Sequence, residues 1–294
     1  RIGYPVLIRP SYVLGGRGME ILYSTEELKT YIDTAVRVSR NHPVLIDKYL
    51  TEAIELDVDV VSDGTDVYVG GIMEHIEYAG VHSGDATMVL PPITLSKKIT
   101  EEVIDISKRV ALALNIKGMM NLQLAVKDEQ VWMIEVNPRA SRTVPFISKA
   151  TGIPLAKIGT QIMLGKTLKE LGLTMEYRAI DHYAIKESVF PFLKLPGVDS
   201  ILTPEMKSTG EVMGIDEDLD IACYKAEIAS GTNLPMEGGV YVTVNDGDKP
   251  KVLNCVRDLY EMGFNIYATK GTSTFLRKNG IQTTTVFTLS EKYK

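Results

Sequence analysis

Residues 121–146, NLQLAVKDEQVWMIEVNPRASRTVPF, contain two apolar segments joined by a polar turn, which is the pattern of a β-hairpin. We predict strands over Asn121–Val126 and Val131–Val136, with the apolar start of the second strand buried in a core. The second strand ends in a carboxylate, an amide and two guanidinium groups, carried by Glu135, Asn137, Arg139 and Arg142. Such polar groups at the end of a core strand indicate a ligand or an unusual surface.

The register of this hairpin decides which side chains meet. Strand alternation places Glu135 and Asn137 on one face. If residues 128–130 form a three-residue turn, Gln123 lies directly opposite Glu135, whereas a two-residue turn breaks that match. Three oxygen-bearing side chains would then suit Mg²⁺, which commonly binds one or two carboxylates together with substrate phosphates. The alternatives are a solvated hairpin face and an ion pair between Glu135 and one of the arginines that follow.

Composition excludes several classes of protein. The chain has 294 residues, a net charge of −6 and a pI of 5.4, which argue against a general nucleic-acid binder. No apolar run approaches the roughly 20 residues that span a membrane, so we expect no membrane partner. Cys223 and Cys255 have neither CxxC nor Cys/His spacing, which disfavours a zinc site and favours a cytoplasmic protein.

Three other stretches could bind phosphate. In Ile8–Met19, a glycine-rich turn lies between two predicted strands and beside Arg9 and Arg17, although an ordinary hairpin turn has the same pattern. The loop Tyr78–Asp85 contains small residues and one histidine, which could lie along a ligand or be merely solvated. Ala268–Ser273 connects a strand to a helix, so its hydroxyls either form a phosphate nest or simply cap the helix.

The order of elements indicates two domains. We predict strands over 6–10, 19–23, 44–49, 55–61 and 67–73, and helices over 25–40, 97–114 and 154–165. The segment Gly231–Gly239 has the composition of a linker. Beyond it, predicted strands over 240–244 and 264–268 alternate with predicted helices over 250–262 and 273–279, which is the pattern of a parallel α/β domain.

Four stretches in order, VLIRPSYVLGGRGMEI, IMEHIEYAGVHSGDAT, IEVNPRASRTVPFISKATGIPLAKI and MKSTGEVMGID, together resemble the large chain of carbamoyl phosphate synthetase. The resemblance covers essentially the whole sequence and is strongest to the C-terminal half of that chain. It implies an α+β ATP-grasp fold over residues 1–232, a linker over 233–238, and an α/β, methylglyoxal-synthase-like allosteric domain over 239–294. We expect the chain to be truncated in both domains, before Arg1 and after Lys294.

The resemblance implies roles for individual residues. By this likeness, Mg²⁺ or Mn²⁺ is held by Gln123, Glu135 and Asn137, and the family suggests K⁺ as a further cation. The positions that match ATP contacts are Arg9, Lys48, Leu50, Glu55, Gly80, Val81, His82, Ser83, Gln123 and Glu135. Arg9 and Arg142 match arginines that face the triphosphate and serve catalysis. Thr269 and Thr272 match positions that bind the phosphate of a nucleotide effector.

The implied reaction is ATP-dependent phosphorylation of carbamate to carbamoyl phosphate, for arginine or pyrimidine biosynthesis. The implied partners are a glutamine-hydrolysing small subunit and a nucleotide effector such as UMP or IMP. Two alternatives stay open at this point. One is a different ATP-grasp carboxylate ligase, such as a relative of biotin carboxylase. The other is a nucleotide-sensing regulatory module without catalysis of its own.

Overall fold

A computed structural model describes residues 2–10, 18–38, 44–173, 177–192, 197 and 199–287. The glycine-rich turn predicted before Met19 lies largely outside these residues. The chain divides into two structural units, Arg1–Thr232 and Asn233–Lys294. Each unit is described by itself below.

The first unit begins with a small antiparallel sheet and one helix. Strands β1 (Val6–Pro10), β2 (Glu20–Leu22) and β3 (Val44–Lys48) pair in the order β2-β1-β3, and helix α1 (Thr25–Val38) connects β2 to β3. The start of α1 is fixed by reciprocal side-chain bonds: Ser24 Oγ accepts from the Glu27 N–H, and the Glu27 carboxylate accepts from the Tyr23 N–H. A small core of Val6, Ile8, Leu22 and Tyr31 lies between sheet and helix.

A seven-stranded antiparallel sheet forms the larger part of this unit. Its strands are listed here in chain order: β4 (Ile54–Asp63), β5 (Val67–Tyr78), β6 (Met88–Leu90), β7 (Lys117–Lys127), β8 (Gln130–Asn137), β9 (Tyr183–Val189) and β10 (Gly210–Asp216). Their spatial order is β10-β9-β6-β5-β4-β7-β8. Strand β4 lies between β5 and β7 and is therefore paired on both edges, and nearly all of its side chains are buried.

Helices cover both faces of the large sheet. Helix α2 (Lys97–Ala113) packs on β4 and β5, where Val58, Ile72 and Val103 share a core. Helices α3 (Val144–Thr151) and α4 (Leu155–Met163) contribute to a second core. Helix α5 (Leu219–Ser230) packs on β9 and β10 through its small buried residues. The described part of the chain has no helix that is both long and apolar enough to cross a membrane.

The hairpin of β7 and β8 corrects two sequence predictions. The turn has two residues rather than three, Asp128 and Glu129, and both have positive φ. Gln123 nevertheless lies opposite Glu135, as expected, because a β-bulge leaves Ile134 unpaired and restores the register. The predicted burial of the start of β8 is wrong. Trp132, Met133 and Ile134 are 47%, 48% and 41% exposed, because β8 is the edge strand of the sheet.

The second unit is a parallel α/β arrangement, as predicted. Strands β11 (Gly239–Val242), β12 (Asn265–Thr269) and β13 (Thr284–Val286) pair in that order, and helices α6 (Lys249–Glu261) and α7 (Lys270–Lys278) connect them. Both α6 and α7 contribute apolar side chains to one small core. Helix α7 begins three residues earlier than the predicted 273.

Gly214 tests the close approach of α5 to the sheet. A Cβ atom added there would lie 2.0 Å from the backbone oxygen of Ala222 and 2.6 Å from the backbone nitrogen of Ala226. We expect Gly214→Ala to lower the free energy of unfolding by about 2–3 kcal/mol, because the helix must shift. Gly210→Ala on the same strand is the control, since its nearest neighbour would be Val189 Cβ at 3.9 Å. Urea unfolding measures both, and an equal effect of the two substitutions contradicts this packing.

Candidate functional site

Two rows of polar side chains cross three neighbouring strands of the large sheet. In one row Asp57 on β4 pairs with Gln123 on β7, which pairs with Glu135 on β8. In the next row Asp59, Asn121 and Asn137 occupy the equivalent positions. The three residues predicted to bind metal therefore lie on adjacent strands at the open edge of the sheet. The bulge in β8 is what aligns them.

The loop that follows β5 lies over these rows. Gln123 Nε2 donates to Ser83 Oγ at 2.8 Å, which leaves the amide oxygen of Gln123 as an acceptor. In the same loop, the Gly84 N–H donates to His82 Nδ1 at 2.9 Å, so the proton of a neutral imidazole lies on Nε2. Burial lowers the pKa of His82, which favours that neutral form. The predicted residues His82, Ser83, Gln123 and Asn137 are thus brought into one cleft.

The donor set of this cleft suits a hard divalent cation bound with phosphates. Glu135 is exposed and is not among the residues lining the cleft, but it lies opposite Gln123 and supplies a carboxylate beside it, while Gln123 and Asn137 supply amide oxygens. Asn137 Oδ1 also accepts from Arg139 Nη2 at 3.3 Å, a long contact that a cation could displace. Among the described residues no cluster of three or more His, Cys, Asp or Glu could hold a metal alone. A single carboxylate with two amides fits Mg²⁺ when a polyphosphate completes the coordination.

Arg142 is the predicted arginine that reaches the cleft. Its Nε lies 3.6 Å from Glu211 Oε1 on β10, and its Nη1 lies 2.8 Å from Met206 Sδ. These partners hold the guanidinium only loosely, because one is a long ion pair and the other is a weak acceptor. Arg142 therefore keeps donors available to an anionic ligand.

Glu55 and Gly80 lie together where the two sheets of the first unit approach. The Gly80 N–H donates to the Glu55 carboxylate, and burial raises the pKa of Glu55 to about 7. A Cβ atom added to Gly80 would lie 2.6 Å from Tyr49 Oη and 3.4 Å from Ile21 Cδ1, and φ there is +120°. Only glycine fits this conformation and this gap. The predicted residue Val81 follows directly in the same loop.

Three predicted ATP contacts lie elsewhere. Arg9 on β1 forms an ion pair with Asp47 on β3, with 2.6 Å from Nη2 to Oδ2, and it is not among the residues lining the described cleft. Lys48 Nζ donates to the Tyr4 carbonyl at 2.8 Å, so its ammonium group faces the start of the chain. Leu50 packs against a small cluster of alanines at the base of the loop after β5.

Several residues of the cleft were missed by the sequence predictions. Asp57 forms a buried pair with His75, with 2.8 Å from Oδ2 to Nε2, and also accepts from Asn121 Nδ2. Burial alone would lower the pKa of His75, but the hydrogen bond and the charge of Asp57 outweigh it and raise that pKa. Arg139, singled out in the sequence but given no role there, also lines the cleft, and the other residues missed are Asn121, Gly84, Ser141, Thr143 and Glu211. The alternation of acids in ELDVDV, residues 55–60, was the available signal for Asp57.

The second unit brings the two predicted threonines together. Thr269 Oγ1 lies 3.4 Å from Thr272 Oγ1 and 3.1 Å from Thr243 Oγ1. Helix α7 begins directly after Thr269, whose side chain makes no capping bond, and Thr272 and Ser273 lie inside the helix. The alternative of simple capping by Thr272 or Ser273 is therefore wrong. The sequence analysis also missed Lys249. Its Nζ lies near Gly271, at 3.3 Å from the position that a Cβ atom on Gly271 would occupy.

Comparison of the sequence with known families identifies both units. Residues 1–171 match the model described as carbamoyl-phosphate synthase L chain, ATP binding domain. Residues 251–293 match the MGS-like domain.

Curated relatives match the whole length of the chain. The carbamoyl phosphate synthase large chain, C-terminal section, of Methanocaldococcus jannaschii is 55% identical over 99% of this chain and 48% of its own length. The section with the same name from Aquifex aeolicus is 51% identical over 99% of this chain and 57% of its own. The large chain of Archaeoglobus fulgidus is 55% identical, and this chain spans 27% of it. The chain thus spans about half, or less, of the length of these relatives.

Solved structures support the fold. A biotin carboxylase from Campylobacter jejuni, in complex with β,γ-ATP, has a TM-score of 0.62 and 18% identity over 78% of this chain and 57% of its own. The biotin carboxylase domain of the Hydrogenobacter thermophilus 2-oxoglutarate carboxylase, solved with MgADP, ADP and bicarbonate, has a TM-score of 0.54 and 22% identity over 64% of this chain and 42% of its own.

These matches confirm the predicted resemblance and the predicted fold class, an ATP-grasp fold followed by an MGS-like α/β domain. Because the first family model covers more than half of the sequence, the chain belongs to the family of carbamoyl-phosphate synthase large-chain ATP-binding domains.

Proposed function

We propose that this chain phosphorylates carbamate with MgATP and so forms carbamoyl phosphate, as part of a carbamoyl phosphate synthase large chain. The observation that carries this proposal is the alignment of Gln123, Glu135 and Asn137 beneath the loop that contains His82 and Ser83. This donor set has the composition expected of a metal–triphosphate site. The relatives are named carbamoyl phosphate synthase, and this name suggests carbamoyl phosphate as the product and therefore carbamate as the phosphoryl acceptor.

The proposed site holds the nucleotide in two parts. Glu55 accepts hydrogen bonds from the ribose hydroxyls, and Leu50, the Lys48 backbone and the loop from Gly80 to Ser83 line the base and the sugar. The phosphates lie over the polar rows, where Gln123, Glu135 and Asn137 hold Mg²⁺ or Mn²⁺, and K⁺ is a further candidate cation. When bound, the divalent ion neutralises charge on the phosphoryl oxygens.

Phosphoryl transfer then requires mainly positioning and charge neutralisation. A carbamate oxygen attacks the γ-phosphorus in line, the bond to the β,γ-bridging oxygen breaks, and ADP leaves. No side-chain base is needed, because carbamate is already an anion. Arg142 donates to the transferring phosphoryl group from the cleft. Arg9, on β1, donates to the triphosphate, and its ion pair with Asp47 orients the guanidinium group.

The second unit is proposed to bind the phosphate of a nucleotide effector such as UMP or IMP. The hydroxyls of Thr243, Thr269 and Thr272 converge at the start of α7, and Lys249, which forms an ion pair with Asp246, lies near Gly271 in the first turn of that helix. We propose that the large chain assembles with a glutamine-hydrolysing small subunit. We also propose a cytoplasmic location, because both cysteines are unpaired and a reducing compartment keeps cysteines in this state.

Glu135→Gln tests the proposed metal site. The substitution keeps the size and removes the negative charge, so we expect the Mg²⁺ concentration for half-maximal ADP binding to rise at least tenfold. Trp132, the one tryptophan of the chain, lies three positions away and reports binding by its fluorescence. Glu129→Gln, at the tip of the same hairpin, is the matched control and should leave the Mg²⁺ dependence unchanged. Equal Mg²⁺ dependence in both variants contradicts the assignment.

The raised pKa of Glu55 predicts pH-dependent nucleotide binding. Only the ionised carboxylate accepts from both ribose hydroxyls, and ionisation is complete only above the folded pKa of about 7. We expect MgADP affinity to increase as pH rises from 6 to 8 and the Glu55→Gln variant to lack this component. Affinity is measured for both proteins across this range, and the difference between the two profiles removes the contribution from ionisation of the nucleotide itself. Parallel pH profiles for the two proteins would exclude Glu55 as the ribose acceptor.

Thr269→Val tests the effector site. The substitution keeps the shape and removes a hydroxyl, so we expect the affinity for UMP and IMP to fall at least tenfold. Thr274→Val is the control, because Thr274 lies on helix α7, which begins directly after Thr269, and donates to the Lys270 carbonyl instead. Isothermal titration measures both. If the wild-type chain binds the effector and Thr269→Val binds it with the same affinity, this site is ruled out.

A further inference from the structure

The segment after β8 carries both arginines of the cleft. We call residues 138–143 the arginine loop. Arg139 donates to the neighbouring Ala140 carbonyl at 3.1 Å and to Asn137 Oδ1 at 3.3 Å, and among the described residues the contacts of Arg142 are its long ion pair and its contact with methionine sulfur. Both arginines are at least partly open to solvent. Contacts of the guanidinium groups therefore do not fix this loop.

The loop is instead anchored from below by Asp59. Ser141 Oγ donates to both carboxylate oxygens of Asp59, at 2.7 and 2.8 Å, and Thr143 Oγ1 donates at 2.5 Å. Asn121 Nδ2, which lies on β7 opposite Asn137, donates to the same carboxylate at 3.1 Å. The Asp59 carboxylate thus binds both the arginine loop and Asn121, the residue that lies opposite the proposed metal ligand Asn137.

The environment of Asp59 makes this anchoring strong. The residue is 0% exposed, and within the described part of the chain no lysine, arginine or histidine is paired with it. Burial raises the pKa of Asp59 to about 6, against the opposing effect of the hydroxyl donors. The buried charge is balanced by neutral donors, two of which belong to the arginine loop. Moving the loop would strip these donors from a buried carboxylate, which is costly.

We propose that Asp59 is a positioning residue for the phosphoryl transfer, which acts through Ser141 and Thr143 to hold the arginine loop over the polar rows. This inference rests on the proposed function. Asp59 does not touch the substrates. It fixes where Asn137 and Arg142 stand relative to the transferring phosphoryl group, and small displacements of such groups slow the reaction strongly.

Asp59→Asn is the first test, measured as ATP formation from MgADP and carbamoyl phosphate. We expect kcat to fall at least tenfold and the KM for ADP to stay within threefold, because Glu55 and Leu50 are untouched. Hydrogen exchange of the backbone amides in residues 139–143 should accelerate in the same variant. Ser141→Ala removes one donor and should lower kcat by about threefold. The double variant Asp59→Asn/Ser141→Ala should be no slower than Asp59→Asn alone, because both act through one network.

Glu74→Gln is the matched control. Glu74 is 2% exposed and likewise holds a loop, since it accepts from the N–H groups of Ile93 and Thr94 and from Thr94 Oγ1, but this loop lies outside the cleft. We expect Glu74→Gln to lower the melting temperature as much as Asp59→Asn and to keep kcat within twofold of wild type. This comparison separates positioning from general stability.

The outcomes separate the inference from the function on which it rests. A wild-type chain that forms ATP, together with an Asp59→Asn variant whose kcat matches that of Glu74→Gln, overturns the role of Asp59 alone. A wild-type chain that forms no ATP overturns the proposed function and the inference with it. If Asp59→Asn does not fold, Ser141→Ala decides: an unchanged kcat and unchanged exchange of the arginine loop refute the inference.

Discussion

Three carboxylates buried on one strand impose the main constraint on this structure. Glu55, Asp57 and Asp59 alternate along β4, an interior strand of the large sheet, and all three are at most 6% exposed. A buried charge must be supplied with donors or positive partners. Each carboxylate recruits a different element: the Gly80 N–H of the loop after β5, His75 of β5, and the hydroxyls of the arginine loop. The walls of the cleft are therefore held in place from below.

The same three positions connect stability to the proposed chemistry. The loop fixed at Gly80 contains the residues proposed to lie along the nucleotide, and the loop fixed at Asp59 carries Arg139 and Arg142. Between them, the rows of Gln123 with Glu135 and of Asn121 with Asn137 provide oxygen donors. The groups that would meet the phosphates thus lie on the edge strand β8, on its neighbour β7 and on loops, while the groups that orient them lie in the core. This division gives the site a rigid base and an accessible surface.

Much of this arrangement could be predicted from local sequence patterns, and the exceptions have physical causes. Alternation and turn signals predicted the hairpin, most strands of the first unit and the parallel α/β arrangement of the second. The pairing of Gln123 with Glu135 was predicted from a three-residue turn, whereas the turn has two residues and the bulge at Ile134 restores the register. No local signal in the sequence marks this bulge. The exposure of Trp132 follows from the position of β8 in the sheet, which strand order alone determines. The partners of Asp57 and Asp59 come from distant segments, so single-strand periodicity could mark the acids but not what balances them.

The most direct test of the central claim is ATP formation from carbamoyl phosphate and MgADP by the wild-type chain, followed by coupled spectrophotometry. The account predicts Mg²⁺-dependent ATP formation with carbamoyl phosphate that is faster than with acetyl phosphate, because the two have nearly the same shape but only carbamoyl phosphate carries an amino group that donates hydrogen bonds. ATP formation with acetyl phosphate but not with carbamoyl phosphate would point to another ATP-grasp ligase. No ATP formation from either donor, with effector binding intact in the second unit, would contradict the catalytic account and favour a regulatory module.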